Sequence, residues 1–125
     1  MTSYPVESPG KVGAGKVFCS LKQRPGQTTG GGDGLAIDTK GNLYITSGLG
    51  VQVWSPAGEH LGTIAFPEQP ANCDFGGPDM KRLYITSASL DMTPQQLAEA
   101  PWSGCLMACD LDIAGRRDHD YALAT

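Results

Sequence analysis

The sequence has little charge of either sign and no long apolar run, and each shortage excludes a class of protein. Only 18% of the 125 residues are charged, and the net charge is −4. The nine Lys and Arg residues are scattered, so we expect neither a nucleic-acid partner nor binding to an anionic membrane surface. No apolar stretch approaches the ~20 residues of a membrane-spanning helix.

The first residues, MTSYPVESPGKVG, lack the charged start and the apolar centre of a secretory signal peptide. We therefore expect a cytoplasmic protein whose four cysteines, Cys19, Cys73, Cys105 and Cys109, are free thiols rather than disulfides. Cys105 and Cys109 could also bind zinc as a pair. Their spacing, however, is not that of a zinc knuckle or ribbon, and no second pair follows.

Glycine and proline are abundant, with 17 and 9 residues, which is typical of many short strands joined by tight turns. The 40% of hydrophobic residues excludes a disordered composition. The pentapeptide LYITS occurs at residues 43–47 and again at 83–87, an offset of 40 residues. Helical repeats and four-stranded propeller blades both have periods near ~40 residues, so the local pattern must decide between them.

The local pattern between residues 33 and 66 indicates strands. Short apolar or alternating runs at 33–38, 43–46, 51–54 and 61–66 are separated by turn sequences rich in Gly, Asn, Ser and Pro. Four short strands joined by turns form one antiparallel propeller blade. Asp38 directly precedes the first of these turns, and we expect it to stabilise that turn.

The pattern restarts after this blade. Residues 72–75, 82–86 and 104–111 take the places of the first three strands, and residues 121–123 form a weak fourth. An interruption at 89–103 carries a predicted short helix near 93–99. Thr93 is its expected N-cap, with Pro94 at the first helical position.

The N-terminal segment resembles the outer half of a blade, with a turn near Pro9 and Gly10. We therefore predict an all-β fold, a partial β-propeller of about two and a half four-stranded antiparallel blades in one domain spanning residues 1–125. Its parts are an outer half-blade at 4–20, a full blade at 33–66 and a last blade at 71–124 with the insertion at 89–103. Because a closed propeller needs ~4–8 blades, we expect a fragment, a truncated gene product or a self-associating protein.

Two longer stretches carry a family resemblance. The segment DGLAIDTKGNLYITSGLGVQVWSPAGEHLGTIAFPEQPANCDFGG at residues 33–77 resembles the senescence-marker-protein, gluconolactonase and luciferin-regenerating-enzyme family. The shared features are an Asp-Gly start, a Gly-Asn turn, a Pro-x-Gly turn and an Asn-x-x-Phe-Gly-Gly restart. The segment LYITSASLDMTPQQLAEAPWSGCLMACDLDIAG at 83–115 resembles the closing segment of the bacterial sugar-lactonase members. The resemblance therefore places the chain in the C-terminal portion of such a protein.

The resemblance implies a six-bladed propeller with one divalent metal at the top of its channel, Ca²⁺ first, with Zn²⁺, Mn²⁺ or Mg²⁺ as alternatives. The usual ligands in the family are a Glu in the first blade, an Asn in a middle blade and the Asp of a late Asp-Gly pair. Asp33 matches the last of these, so the resemblance implies that it binds the metal and acts as the catalytic base. Asn72 is a candidate channel-lining residue, although an Asn at a strand start commonly satisfies local backbone groups instead.

The implied reaction is hydrolysis of a sugar lactone, an aldonolactone, to the aldonic acid, helped by a metal that polarises the carbonyl and acidifies water. The blades that carry the Glu and Asn ligands have no counterpart in this sequence, so we expect the chain to be inactive alone. The alternative is a non-catalytic binding or structural propeller fragment from a truncated gene. The expected partners are a sugar lactone and either the missing N-terminal blades or further copies of the chain.

Several chemically suggestive side chains are interpreted as structural. No Gly-x-Ser-x-Gly elbow is present, so a serine-hydrolase site is not predicted. His60 and His119 lie in polar surroundings and are expected to be solvated. Trp54 and Trp102 are interpreted as packing residues rather than as a platform for a sugar.

Overall fold

A computed structural model describes residues 1–28, 31–89 and 92–117. Within these residues the fold is nearly all-β, with one short helix. The strands are β1 (Thr2–Ser3), β2 (Val6–Ser8), β3 (Lys11–Val12), β4 (Lys16–Val17), β5 (Leu35–Ile37), β6 (Leu43–Ser47), β7 (Gly50–Trp54), β8 (His60–Ile64), β9 (Pro70–Gly76), β10 (Arg82–Ser87) and β11 (Leu106–Asp110). The helix is α1 (Pro94–Glu99). The weak fourth strand predicted at 121–123 lies outside the described residues.

Strands β5 to β8 form one four-stranded antiparallel sheet in sequence order. The turn between β5 and β6 is built on Asp38, which is buried and accepts hydrogen bonds from the backbone N–H groups of Lys40 and Asn42, both at 2.9 Å. Gly41 has a φ of 83°, a conformation that glycine adopts at little cost. The predicted turn role of Asp38 is therefore confirmed.

Strands β9, β10 and β11 form a second antiparallel sheet, with β10 in the middle. Side chains along β9 and β10 alternate between buried and exposed positions, as a sheet with one covered face requires. The strands predicted at 72–75, 82–86 and 104–111 are thus present. The last of them is shorter than expected, because the chain enters β11 only at Leu106.

The main core lies where these two sheets pack face to face. Its buried members are Ala36, Tyr44, Val51, Cys73, Phe75, Leu83 and Ile85. The rings of Tyr44 and Phe75 meet edge to face across the two sheets, with centroids 5.0 Å apart. Strand β5 and strand β9, the first strands of their sheets, are neighbours in this packing.

The chain after β11 crosses from the second sheet back to the first. The Gly115 N–H donates to the Met80 carbonyl at 2.8 Å, and the Thr39 N–H donates to the Ala114 carbonyl at 2.9 Å. A Cβ at Gly115 would collide with the ring of Phe75, so only glycine fits this crossing. This crossing segment, residues 111–116, ties the two sheets together at one end.

Residues 1–19 fold back on themselves as a ribbon in which β1 pairs with β4 and β2 pairs with β3, here called the N-terminal hairpin. Its pairing begins at Thr2, slightly before the half-blade predicted from residue 4. Val6 and Val17 on this hairpin are 76% and 79% exposed. The hairpin therefore presents apolar side chains to the solvent.

The segment that follows the hairpin is held against the four-stranded sheet by a buried amide. Gln52 donates from Nε2 to the Lys22 carbonyl at 2.8 Å and accepts from the Lys22 N–H at Oε1 at 2.9 Å. Cys19 packs beside it with Ile45 and Trp54 in a second, smaller core. These contacts fix the chain on its way toward residue 33.

One predicted strand boundary shifts, and one predicted packing residue is exposed. Strand β8 begins at His60, one residue before the strand predicted at 61–66, because His60 pairs with Trp54 across a bulge. Trp54 is buried, as predicted, but Trp102 is 55% exposed. Its prediction as a packing residue was wrong, because it lies in the insertion, away from both cores. No described helix has the length and apolar character needed to cross a membrane.

Candidate functional site

The start of β5 is fixed by hydrogen bonds to both neighbouring strands. The Gly34 N–H donates to the Ala71 carbonyl at 3.1 Å and lies 2.7 Å from the Thr46 hydroxyl oxygen. The buried Thr46 hydroxyl in turn lies 3.1 Å from the Ala71 carbonyl. The backbone N–H of Thr46 donates to the Gly34 carbonyl at 3.0 Å. Asp33 is consequently attached to a backbone that is held on two sides.

Gly34 is also required by its contact with β9. A Cβ at this position would collide with the backbone and the side chain of Asn72. Only a glycine lets the start of β5 approach β9 this closely. The glycine of the Asp-Gly pair is therefore explained physically, since it allows this close approach.

Asp33 is exposed and lines a cavity of about 320 Å³. Glu68 lines the same cavity from the segment between β8 and β9, Ala88 lines it just after β10, and Met92 and Ser103 line it from the insertion. The Ser103 hydroxyl donates to Oε2 of Glu68 at 3.4 Å. The cavity therefore combines two carboxylates and a hydroxyl with an apolar wall.

Asn72 lies near Asp33 in the fold but is turned away from this cavity. Its side-chain oxygen accepts a hydrogen bond from the N–H of Cys73 at 2.9 Å. With Asp74, Tyr84 and Leu106 it lines a smaller surface cavity of about 120 Å³. The structure therefore places Asn72 against Gly34 and along the smaller cavity, and its channel-lining role stays a prediction.

The described residues do not form a complete metal site. Across residues 1–28, 31–89 and 92–117, no three His, Cys, Asp or Glu side chains lie close enough together to hold a cation. Asp33 suits Ca²⁺ as a single ligand, because its carboxylate is an exposed hard oxygen donor at a cavity. A site built on Asp33 would need further oxygen ligands.

The serines that end the two LYITS repeats form hydrogen bonds with the backbone. The Ser47 hydroxyl donates to the Gly50 carbonyl and accepts from Gln52, both at 2.9 Å. The Ser87 hydroxyl donates to the Trp102 carbonyl at 2.9 Å. His60 is exposed and its Nε2 lies 3.0 Å from the Thr63 hydroxyl. His119 lies outside the described residues.

Sequence reasoning missed Glu68 and Ser103. They are separated by 35 residues and belong to no motif. The only signal near Glu68 is its place between two prolines, Pro67 and Pro70, just before the Asn-x-x-Phe-Gly-Gly restart. The contact between Glu68 and Ser103 depends on how the insertion folds back onto the segment before β9, and the periodicity of the sequence does not predict that fold.

Each antiparallel sheet is built from consecutive strands, and the two sheets stack with their first strands, β5 and β9, side by side. An Asp-Gly pair stands at the start of β5. This arrangement is that of a β-propeller protein. Residues 1–89 match the family model described as SMP-30/Gluconolactonase/LRE-like region. The chain belongs to this family.

Two relatives show how much of such a protein the chain represents. Regucalcin from Danio rerio is 39% identical over 94 residues, which cover 71% of this chain and 32% of that protein. The 6-deoxy-6-sulfogluconolactonase from Pseudomonas putida is 32% identical over 115 residues, which cover 90% of this chain and 38% of that protein. The chain thus spans about a third of the length of these relatives.

Solved structures agree on the fold. Regucalcin from Agrobacterium tumefaciens, described as a calcium-binding protein, superposes with a TM-score of 0.72 at 27% identity, covering 83% of this chain and 35% of that one. A gluconolactonase from Xanthomonas campestris superposes with a TM-score of 0.56 at 24% identity, covering 92% of this chain and 30% of that one, and supports the fold alone. The predicted fold class, a partial propeller with a short helical insertion, is confirmed; no closed sheet is formed by the residues described.

Proposed function

We propose that the chain is the C-terminal part of a divalent-metal-dependent sugar-lactone hydrolase that opens an aldonolactone to the aldonic acid. The observation that carries this proposal is Asp33, an exposed carboxylate that lines a cavity at the start of β5 in a chain of this family. A cytoplasmic location and a sugar-lactone substrate belong to the same proposal.

The backbone geometry supports a positioned rather than a mobile carboxylate. Gly34, directly after Asp33, is held by Ala71 and Thr46, and it has no room for a side chain beside Asn72. A group held in place before the reaction loses little freedom during it, which favours both ligand binding and proton transfer. Asp33 is thus suited to hold a cation or accept a proton.

The proposed hydrolysis needs few protein groups. The oxygen of a water adds to the lactone carbonyl carbon, the bond from that carbon to the ring oxygen breaks, and the ring oxygen takes up a proton. Asp33 accepts the proton of the attacking water and returns it to the leaving oxygen. A divalent cation, when bound, supplies polarisation of the carbonyl and acidification of water.

One carboxylate is too little for this site, so the remaining ligands come from other blades of the ring. These blades belong either to a longer chain or to a partner that supplies them. We expect Ca²⁺ as the cation, since carboxylate and amide oxygens are its preferred ligands, with Zn²⁺, Mn²⁺ and Mg²⁺ as alternatives. The 125-residue chain alone is expected to be inactive.

The second candidate is a binding or structural propeller fragment without catalysis. It is favoured by one observation, that the described residues contain no cluster of three His, Cys, Asp or Glu side chains around Asp33. The two candidates make different predictions once the missing blades are supplied.

The test measures glucono-1,5-lactone hydrolysis in a pH-stat, with Ca²⁺, Zn²⁺ or a chelator, after subtraction of spontaneous opening. Two samples are compared, the 125-residue chain and a chimera in which it replaces the matched segment of the Pseudomonas putida lactonase. The chain is expected to show no turnover. The folded chimera is expected to show metal-dependent turnover that Asp33→Asn reduces by about 100-fold or more, the scale of losing one preorganised electrostatic group.

Asp112→Asn is the matched control, because Asp112 is an exposed aspartate after β11, outside the cavity. Calcium binding is measured in parallel by titration calorimetry. The loss of a metal-binding side chain can then be detected even where no lactone is hydrolysed. A folded chimera with no turnover and no calcium affinity would favour the non-catalytic candidate. Equal turnover in the Asp33→Asn and Asp112→Asn chimeras would remove Asp33 from the site.

A further inference from the structure

The insertion between β10 and β11 is attached to the second sheet at a narrow neck. The Ser87 N–H donates to the Cys105 carbonyl at 3.1 Å, and the Ser87 hydroxyl donates to the Trp102 carbonyl at 2.9 Å. The Cys105 N–H donates to the Trp102 carbonyl at 3.2 Å. The residues just before Cys105 are therefore held at a fixed place above the end of β10.

This anchoring places Ser103 against the segment that leads into β9. Its hydroxyl donates to Oε2 of Glu68 in a long hydrogen bond of 3.4 Å, and both side chains are half-buried. A carboxylate has about four acceptor positions, and Ser103 occupies one of them. Glu68 is thus oriented by the insertion while most of its accepting capacity stays available to the cavity.

The lining of the cavity suits a neutral ring that carries several hydroxyl groups. Glu68 and Asp33 can accept hydrogen bonds from hydroxyls, and such bonds to a charged acceptor are stronger than neutral ones. Met92 and Pro70 offer an apolar surface to the C–H faces of a ring. The two carboxylates would repel an anionic ligand. The volume of about 320 Å³ falls within the range of small-molecule sites.

We propose that Glu68, positioned by Ser103, determines substrate specificity by accepting hydrogen bonds from the hydroxyl groups of a neutral sugar lactone whose carbonyl faces Asp33. This inference rests on the proposed function for the identity of the reacting group. Recognition of a cyclic polyol by this cavity, however, can be measured without any turnover.

The first experiment is an NMR titration of the isotope-labelled 125-residue chain. The probe is 1,5-anhydroglucitol, a stable neutral ring with hydroxyl groups and no carbonyl. Tetrahydropyran, the same ring without hydroxyls, is the comparison ligand. We expect saturable shifts of the Glu68, Ala71 and Ser103 amide signals with the polyol and none with tetrahydropyran.

Glu68→Gln keeps the shape and removes the charge, and we expect it to weaken polyol binding about tenfold, the scale of one charge-assisted hydrogen bond. Ser103→Ala is expected to weaken it about threefold by releasing Glu68. Glu99→Gln is the matched control, since it removes the same charge from α1, outside the cavity. Absence of saturable polyol shifts, or equal affinity in the Glu68→Gln and Glu99→Gln chains, overturns the inference.

A second measurement separates this inference from the proposed function. In the chimera, Glu68→Gln is expected to raise KM for glucono-1,5-lactone about tenfold while leaving KM for δ-valerolactone, which has no hydroxyls, unchanged. If turnover depends on Asp33 but KM does not change for either lactone, the inference fails and the proposed function stands. If polyol binding depends on Glu68 but no lactone is hydrolysed, the subsite stands and the proposed function fails.

Discussion

Burial sets the protonation of two neighbouring side chains between the sheets. The Cys73 thiol lies 3.6 Å from the Tyr44 carbonyl oxygen. Burial and the negative charge of Asp74 raise the pKa of Cys73 from 9.0 to about 12. Burial and the hydrogen-bonded carboxylate of Asp38 raise the pKa of Tyr44 from 10.0 to about 12. The folded chain therefore holds both groups neutral in the range where an unfolded chain loses their protons.

These two raised pKa values predict a loss of stability in alkali. Above pH 9 the unfolded state binds fewer protons than the folded state, so the free energy of unfolding falls as the pH rises toward 12. The stabilisation is complete below pH 9, and the loss is on the order of 3 to 4 kcal/mol by pH 11. Denaturant unfolding from pH 8 to 11 measures it.

Tyr44→Phe separates the two contributions. The variant keeps the ring contact with Phe75 but has no hydroxyl to titrate, so its stability should fall less steeply above pH 10 than that of the parent chain. Tyr84→Phe, on the exposed face of β10, is the matched control for removing a tyrosine hydroxyl outside the core. A parent chain whose stability is constant from pH 8 to 11 would contradict the prediction.

At the scale of elements, the neck of the insertion predicts a coupling between a loop and a sheet. Ser87→Ala removes a buried hydroxyl that bonds the Trp102 carbonyl and lies 3.3 Å from the Cys105 N–H. We expect the free energy of unfolding to fall by about 1 to 2 kcal/mol, with faster proteolysis within residues 88–104. Denaturant melts and limited proteolysis measure the two effects.

Thr93→Ala provides the contrast. Thr93 caps α1 through its contact with the Gln96 N–H, and its loss should destabilise the helix by about 1 kcal/mol. Because α1 has no buried residues, proteolysis should accelerate while global unfolding stays nearly unchanged. The neck prediction fails if the two variants have the same global stability.

The helix and most strands were predictable because local chemistry specifies them. The cap at Thr93 and the proline after it define the start of α1, and the turn residues after Asp38 separate β5 from β6. The pairing of Glu68 with Ser103 was not predictable, because it joins a connecting segment to an insertion through a contact 35 residues apart. Asp33 was found only through its motif, and its partners in the cavity come from elsewhere in the chain.

For the whole molecule, the two stacked sheets are only part of a ring. The chain spans about a third of the length of its relatives, and the N-terminal hairpin exposes the apolar side chains of Val6 and Val17. Soluble proteins rarely leave contiguous apolar surface uncovered. We therefore propose that copies of the isolated chain associate through this hairpin.

Sedimentation velocity across a wide concentration range tests this association. The parent chain should form larger species as its concentration rises, because burying Val6 and Val17 removes apolar surface from water. The double substitution Val6→Lys and Val17→Lys should shift the chain toward monomer. Leu61→Lys alters an exposed apolar residue on β8 instead and should not. A parent chain that sediments as a monomer at every concentration would contradict the proposal.

The neck at Ser87 also has a consequence for protein engineering. Because the strand pairing of β10 with β11 is closed by the bonds of Ser87 with Cys105 and Trp102, the residues beyond the neck contribute little to the register of the sheet. The stretch from residue 88 to residue 101 is in effect a cassette. Libraries of other lengths and sequences could be inserted there to change what the cavity accepts, while the sheet that carries the cassette keeps its pairing.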